Sequence, residues 1–538
     1  METVAMKSFA TRIIFSIMAV ALAAPSFVNA QEAPKKFTKE KIDSGLELLP
    51  LKSYKTKAEY DTKKRSVQAD LTSLESLTKK VLKGDSEFGP NRDSLDRFLG
   101  RYFLPRMTHY DDMSISAGKL RDDLIRNYLN KSYNAQARDH VLDNIIYPFA
   151  TKVVEGNYHP ASRINAMYLI GSLNRREGVR RESLPTLMTQ SLTYMIAALD
   201  KADMPNYLKV AALHGIARHV GIDQDAQKQI NNVTRNSIRD RMLKLVQQPY
   251  NGKKNDDDLL YFQQRLATQI LGELHDPGSA NAVGNQLKSM IANEKLRLWL
   301  RVDAVAAFGK INFASDAESE KLIKMMIDDS VKLVAVNARQ QSVAIKNDLR
   351  IMRENYLVYT GKDLAKIGVE KDENEELRDV SMGTGGDFEF GEGSASNDDD
   401  KPKLNLPNYR LNLVRREIKT VGDVVVVSIF GEDMKTVGGL AAKLPAPQQA
   451  EVQTIAIQIR KLMRDVDVAM FGDDFDERNR KEQKFKKAIT DRLRETLAQS
   501  ADELEKQVAG GGESGGDPAT PPAKSGDTST KVDPLGKK

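Results

Sequence analysis

Two stretches, Gln264-Arg-Leu-Ala267-Thr-Gln-Ile-Leu271-Gly272 and Arg301-Val-Asp-Ala304-Val-Ala-Ala-Phe308-Gly309, share one arrangement. Each opens on a long polar residue and places Ala three positions on, a large apolar residue at seven and Gly at eight. The arrangement also stands at Arg163-Ile-Asn-Ala166-Met-Tyr-Leu-Ile170-Gly171 and at Lys209-Val-Ala-Ala212-Leu-His-Gly-Ile216-Ala217, where Ala takes the place of the Gly. Positions three and seven share one face of a helix. Ala there lets a neighbouring helix approach, and Ile, Leu or Phe fills the adjacent gap. The small residue at eight clears space where helices cross. These small positions recur after 46, 55 and 37 residues, which fits helix pairs joined by loops of varying length. One such pair cannot bury its apolar face alone, so the pattern predicts stacking.

The run Leu271-Gly-Glu-Leu-His-Asp276-Pro277-Gly-Ser-Ala-Asn-Ala-Val283 resembles the Leu-Gly-x-Leu-x-Asp-Pro-x-Ala signature of HEAT-like repeats. In that reading Asp276 is the N-cap and Pro277 the first helical residue. His159-Pro160 and Met204-Pro205 put prolines ahead of the first two motif helices. The resemblance covers about residues 135–345. It implies an armadillo-type α-solenoid and says little of function, since such folds serve unrelated roles. The irregular intervals leave a generic helical bundle as the alternative.

Outside the repeats the spacing is also helical. Val67, Leu71, Leu74, Leu77 and Val81 step by three and four, ending at a turn over 84–90, and further helices are expected near 95–103, 117–129 and 135–154. Leu411, Val414, Ile418, Val421 and Val425 read as a helix, although Val424 to Phe430 also suits a strand. Val452, Ile455, Ile459, Leu462 and Val466, then Phe485, Ile489, Leu493 and Leu497, describe two amphipathic helices joined near 471–479 as an antiparallel hairpin.

The first thirty residues carry the address. Lys7 and Arg12 precede an apolar stretch from Ile13 to Ala24, and Val28-Asn29-Ala30 offers a cleavage site ahead of Gln31. This reads as a secretory signal, with an uncleaved anchor as the alternative. No later segment is long and apolar enough to cross a membrane. The chain has no cysteine, so disulfides, thiolate metal sites and cysteine nucleophiles are excluded. The net charge of +6 is unevenly spread: Glu370 to Asp400 holds twelve acidic residues against Lys371 and Arg378. An acidic strap therefore sits in a basic chain.

Chemistry-bearing patterns are sparse. His214 and His219 are five apart and do not share a helical face, and His109, His140, His159 and His275 have no Cys or Glu motif beside them. The acidic clusters at 111–112, 256–258, 398–400 and 473–474 lack the alternating ligands of a calcium loop, and helix N-caps and solvated loops explain them better. No nucleophile elbow, phosphate loop or dinucleotide fingerprint is present. Arg175-Arg176, Arg180-Arg181 and Arg415-Arg416 read as solvated helix faces rather than a nucleic-acid surface.

The expected organisation is all-α: signal peptide 1–30, polar lead-in 31–60, N-terminal helices 61–134, HEAT-like repeats 135–365, disordered acidic linker 366–402, C-terminal helical module 403–508 and disordered tail 509–538. The expected function is a periplasmic or secreted, non-enzymatic scaffold that binds protein partners, with no catalytic, cofactor-binding or metal residues assigned and no nucleic-acid partner. The alternatives are a cell-envelope enzyme with a site assembled from scattered residues, and an envelope assembly factor that self-associates through its C-terminal hairpin.

Overall fold

The computed structural model describes residues 37–109, 117–178, 183–225, 228–360, 406–432, 436–471 and 489–510. The expected signal, acidic linker and tail lie outside these residues. Among the described residues the fold is all-α, with two short strands at Asn174–Arg176 and Thr186–Leu187. The chain divides into two compact units, 1–177 and 178–538.

In the first unit, α1 spans Lys57–Lys83, capped by the Thr56 side chain and stopped by Gly84 in the left-handed region. Helix α2 (Phe88–Leu95) runs on through a π-helical turn to Phe103, and α3 (Ala117–Asp123) through another to Tyr128. Then come α4 (Ala135–His140), α5 (Tyr147–Glu155) and α6 (Pro160–Ser172). The first motif segment lies in α6, with Ala166 buried, Pro160 in the first turn and His159 Nδ1 accepting from Ala161 N.

The polar lead-in docks rather than trailing free, which its composition did not predict. Glu40 binds the Tyr158 hydroxyl and Lys152, its N–H donates to Thr108 Oγ1 at 2.9 Å, and Leu46 is fully buried. Asp43 adds an ion pair with Arg97 at 3.0 Å, and the N–H groups of Thr38 and Asp43 donate to Asn157 O and Arg101 O, each at 2.8 Å. Arg138 is likewise buried, and its guanidinium donates to Leu129 O, Asn174 O, Arg175 O and Glu177 Oε1 at 2.5–2.9 Å.

The second unit holds α7 (Thr189–Asp200), α8 (Asn206–Asp225), α9 (Asn232–Val246), α10 (Lys254–Glu273), α11 (Ala282–Ala292) and α12 (Leu298–Phe308). The remaining motif segments lie in α8, α10 and α12. Helix α8 packs on α10 and α10 on α12, while α7, α9 and α11 pack against α8, α10 and α12 respectively. Ala212, Ala267 and Ala304 have no exposed surface, as the pattern requires. Gly309, at the eighth position of its motif, approaches Ser428 so closely that a Cβ would lie 2.8 Å from the Ser428 Cβ. Glycine is the side chain that fits such a crossing.

One expectation is corrected here, and one reading left open is decided. Asp276 and Pro277 do not open a helix. The chain turns through His275 and Ala280 at positive φ, and α11 starts at Ala282, after a short 3-10 turn. Asp276 instead accepts from Gly278 N and pairs with Arg239. The stretch 424–430, open between helix and strand, ends helix α14 (Asn408–Ile429).

After α12, the 44-residue α13 (Ala317–Thr360) packs on α11. Helices α14, α15 (Ala446–Phe471) and α16 (Ile489–Gly510) complete the unit, α14 packing on α12, α13 and α15, and α16 on α13 and α15. The helices of the expected C-terminal module thus share one compact unit with the last three motif helices.

Candidate functional site

Each motif helix of the second unit buries one face against its neighbours and leaves a narrow stripe open. On α8 the stripe is Tyr207, His214 and Arg218; on α10, Phe262, Arg265, Gln269 and Glu273; on α12, Trp299, Asp303, Ala306 and Lys310. These positions step by three, four or seven, the spacing of one helical face. Counted from the repeated Ala, the rows match across the three helices. Tyr207, Phe262 and Trp299 each stand five residues before it, and Arg218, Glu273 and Lys310 six after. An aromatic row at one end of the face and a charged row at the other follow from that register.

Polar contacts between successive helices hold the rows in step. Gln263 Nε2 lies 3.4 Å from Asn206 O, beside Phe262 and Tyr207. Arg265 pairs with Asp303 at 2.5 Å, Arg297 with Asp258 at 2.5 Å, and Lys310 with Glu273. Arg241–Asp200 and Arg239–Asp276, each at 2.7 Å, do the same from α9. These pairs join residues 37–41 apart. The structural repeat is therefore close to that length, and the longer 55-residue interval is taken up by the longer helices α8, α9 and α10. Exposed pairs of this kind contribute little energy singly, so their weight is in register. Behind the aromatic row, Tyr261 is buried with Arg297 over its ring at 4.6 Å, and the Phe262 ring lies 5.5 Å from it.

The electrostatics do not assemble an acid–base site on this face. Burial holds His214 and His219 down at about 4, so both imidazoles are neutral near pH 7. His219 is spent on structure, its Nδ1 donating to Gly215 O at 2.9 Å. Buried Asp223 accepts from Ile230 N at 2.7 Å and from Arg235, which also donates to Leu274 O. That set ties α8 to α9 and to the turn after α10. Among the described residues no group of three or more His, Cys, Asp or Glu side chains is arranged to hold a metal ion. Asp256 and Asp257 sit in the first turn of α10, where Asp257 accepts from Asn251 and Gly252 N–H groups. Neither is the N-cap, which is Lys253; Asp257 ties down the loop that precedes the helix. The clusters at 111–112, 398–400 and 473–474 lie outside the described residues.

A second, shallower feature is a groove of about 570 Å³ on α9, lined by Asp200, Val233, Asn236, Ser237, Asp240, Arg241 and Lys244. Its Arg241 and Asp200 are already paired.

Comparison with known proteins returns nothing: no family model, no curated protein and no solved structure matches the chain. The geometry stands alone. The buried Ala and Gly positions of the motif do not specify the stripe, because they say nothing of the face opposite. The signal was present as an aromatic residue five positions before Ala212, Ala267 and Ala304.

Proposed function

We propose that the protein is an exported, non-enzymatic scaffold whose second unit is a HEAT-like α-solenoid that binds a protein partner across the exposed stripes of α8, α10 and α12. The observation that carries this reading is the matched register of three successive stripes, aromatic at one end and charged at the other. An extended face built from repeated rows suits a partner that contacts several repeats at once. Export rests on the Lys7–Ala30 pattern and places the partner in the periplasm or outside the cell. The self-association reading is less favoured, because Leu493, Leu497, Ala501 and Leu504 of α16 are buried within the chain.

The test compares mature protein carrying Gln269→Glu and Ala306→Arg with a Lys244→Glu control in affinity purification from envelope extract. A partner lost from the face variant and kept by the control supports the reading. A partner retained equally by both overturns it, and N-terminal sequencing that finds Met1 on a cytoplasmic pool overturns export.

A further inference from the structure

The corner where the lead-in turns into α1 is apolar at its tip and cationic beside it. Leu49 and Leu51 are 45% and 50% exposed, with Pro50 open between them. The short 3-10 turn Leu51–Ser53 buries none of its residues. Single exposed leucines are ordinary. Here two stand at one turn, followed by the exposed Lys52, Lys55 and Lys57, and residues 48–58 hold no acid. Among the described residues none of these three ammonium groups is in an ion pair.

Both sides of the corner are pinned. Upstream, Leu46 is buried, the N–H groups of Leu46 and Glu47 donate to Asp43 O at 2.8 and 2.9 Å, and the Asp43 carboxylate pairs with Arg97. Downstream, Thr56 and Glu59 cap α1 reciprocally: Thr56 Oγ1 accepts from Glu59 N at 3.1 Å, and Glu59 Oε2 from Lys55 N at 3.0 Å. The first acid after the lysines is thus committed to the helix end. Between the pins, Ser53 N–H donates to Pro50 O at 2.8 Å and Tyr54 N–H to Leu51 O at 3.1 Å. Tyr54 and Tyr60, both half-buried, meet edge to face with ring centroids 5.4 Å apart. Ordered backbone therefore holds the leucines outward, and little entropy is lost when they are covered.

Leucines flanked by cations match an anionic lipid surface. Aliphatic side chains enter the headgroup boundary, lysine stems snorkel so that their ammonium groups meet phosphates, and tyrosine rings suit that depth. A folded acidic partner would satisfy the lysines but would need an apolar socket for the leucines, whereas a bilayer supplies both anywhere on its surface. We propose that residues 49–57 form a peripheral docking corner for an anionic phospholipid surface, with Leu49 and Leu51 below the headgroups and Lys52, Lys55 and Lys57 on the lipid phosphates. The two signals act together, since one weak anchor alone binds only marginally. The first unit is then held at a membrane without crossing it. This inference is independent of the binding face assigned to the second unit.

The experiment sediments the purified mature chain with vesicles of phosphatidylcholine alone or with about one-third phosphatidylglycerol. Wild type is expected in the pellet with the anionic vesicles only, and to leave it as salt rises from about 0.05 to 0.5 M. Lys52→Gln, Lys55→Gln and Lys57→Gln together weaken partitioning by roughly 100-fold, at about fivefold per lysine. Leu49→Ser with Leu51→Ser weakens it by about tenfold. A charge-matched control, Lys83→Gln, Lys131→Gln and Lys244→Gln, stays within about twofold of wild type, because its charges lie away from the corner. Every one of these side chains is exposed, and circular dichroism checks that each variant keeps the fold. The chain has no cysteine, so an environment-sensitive dye on Leu51→Cys reports on this position alone. Its emission shifts to the blue on anionic vesicles, while that of the same dye on Lys244→Cys does not. Absence of binding at low salt, equal losses from the two lysine triples, or full binding by the leucine variant overturns the proposal. A protein crosslinked from a photoreactive residue at position 51 in intact envelopes, with no vesicle binding, also overturns it and makes the occupant a protein.

Discussion

Gly272 meets Ala307 so closely that a Cβ at position 272 would stand 2.7 Å from the Ala307 Cα and 3.0 Å from its Cβ. The contact joins α10, at the small eighth position of its motif, to the Ala307 backbone of α12, and backbone atoms cannot move aside as a flexible side chain can. Gly272→Ala is expected to destabilise the second unit by about 1–3 kcal/mol through overpacking. Gly221, near the end of α8, has nothing within 4 Å of a Cβ. There Gly→Ala is expected to stabilise by about 0.5–1 kcal/mol through backbone entropy. Urea unfolding of the two variants separates the cases, and equal effects of the same sign would contradict the packing assigned to Gly272.

Arg138 anchors the first unit through three carbonyls and one carboxylate while fully buried. Arg138→Met keeps much of the volume but orphans these acceptors, and a loss of about 3–5 kcal/mol is expected. Arg138→Lys restores the charge without the planar fork and should recover only part of it. Thermal unfolding checks the order, which is wild type, then Lys, then Met. A Met variant as stable as wild type would show that the carbonyls are satisfied by other means.

The buried histidines set an acid sensitivity. For His214 and His219 the folded value is about 4 and the unfolded value about 6.5. Between these limits the unfolded chain binds protons that the folded chain refuses, so stability rises with pH across the window and is lost as pH falls from about 6.5 towards 4. At most roughly 3 kcal/mol is at stake for each. Asp328, Asp329 and Glu417, whose carboxyls burial pushes up, act in the opposite sense and gain stability as they protonate. The comparison is therefore between wild type and a His214→Leu, His219→Leu variant, in urea unfolding at pH 7.5, 6 and 5. The variant should lose less stability between pH 7.5 and 5, and parallel curves would refute the assignment.

What the sequence disclosed was periodic. The three- and four-residue steps at Val67–Val81, Leu411–Val425 and Val452–Val466 placed α1, α14 and α15, because burying one helix face leaves a local trace. The repeated Ala marked buried positions in four helices for the same reason. The start of α11 was misplaced because the Asp276-Pro277 signature competes with a turn that needs positive φ at His275 and Ala280, and neither residue announces it. The Arg138 clamp and the docked strap around Glu40 depend on partners 9–118 residues away, which no local window contains. The exposed stripe lay between these extremes: its register was in the sequence, but its exposure became visible when the neighbouring helices were in place.

The binding of a partner across the stripes of α8, α10 and α12 is tested most directly by site-specific photocrosslinking in the intact envelope. A photoreactive residue is placed at Gln269, which is exposed at the centre of the face, and in a parallel strain at Lys244 on α9. The account predicts a discrete crosslinked protein at position 269, weakened by Ala306→Arg, and none of that size at 244. The same adduct from both positions, or adducts at 244 and none at 269, would contradict it.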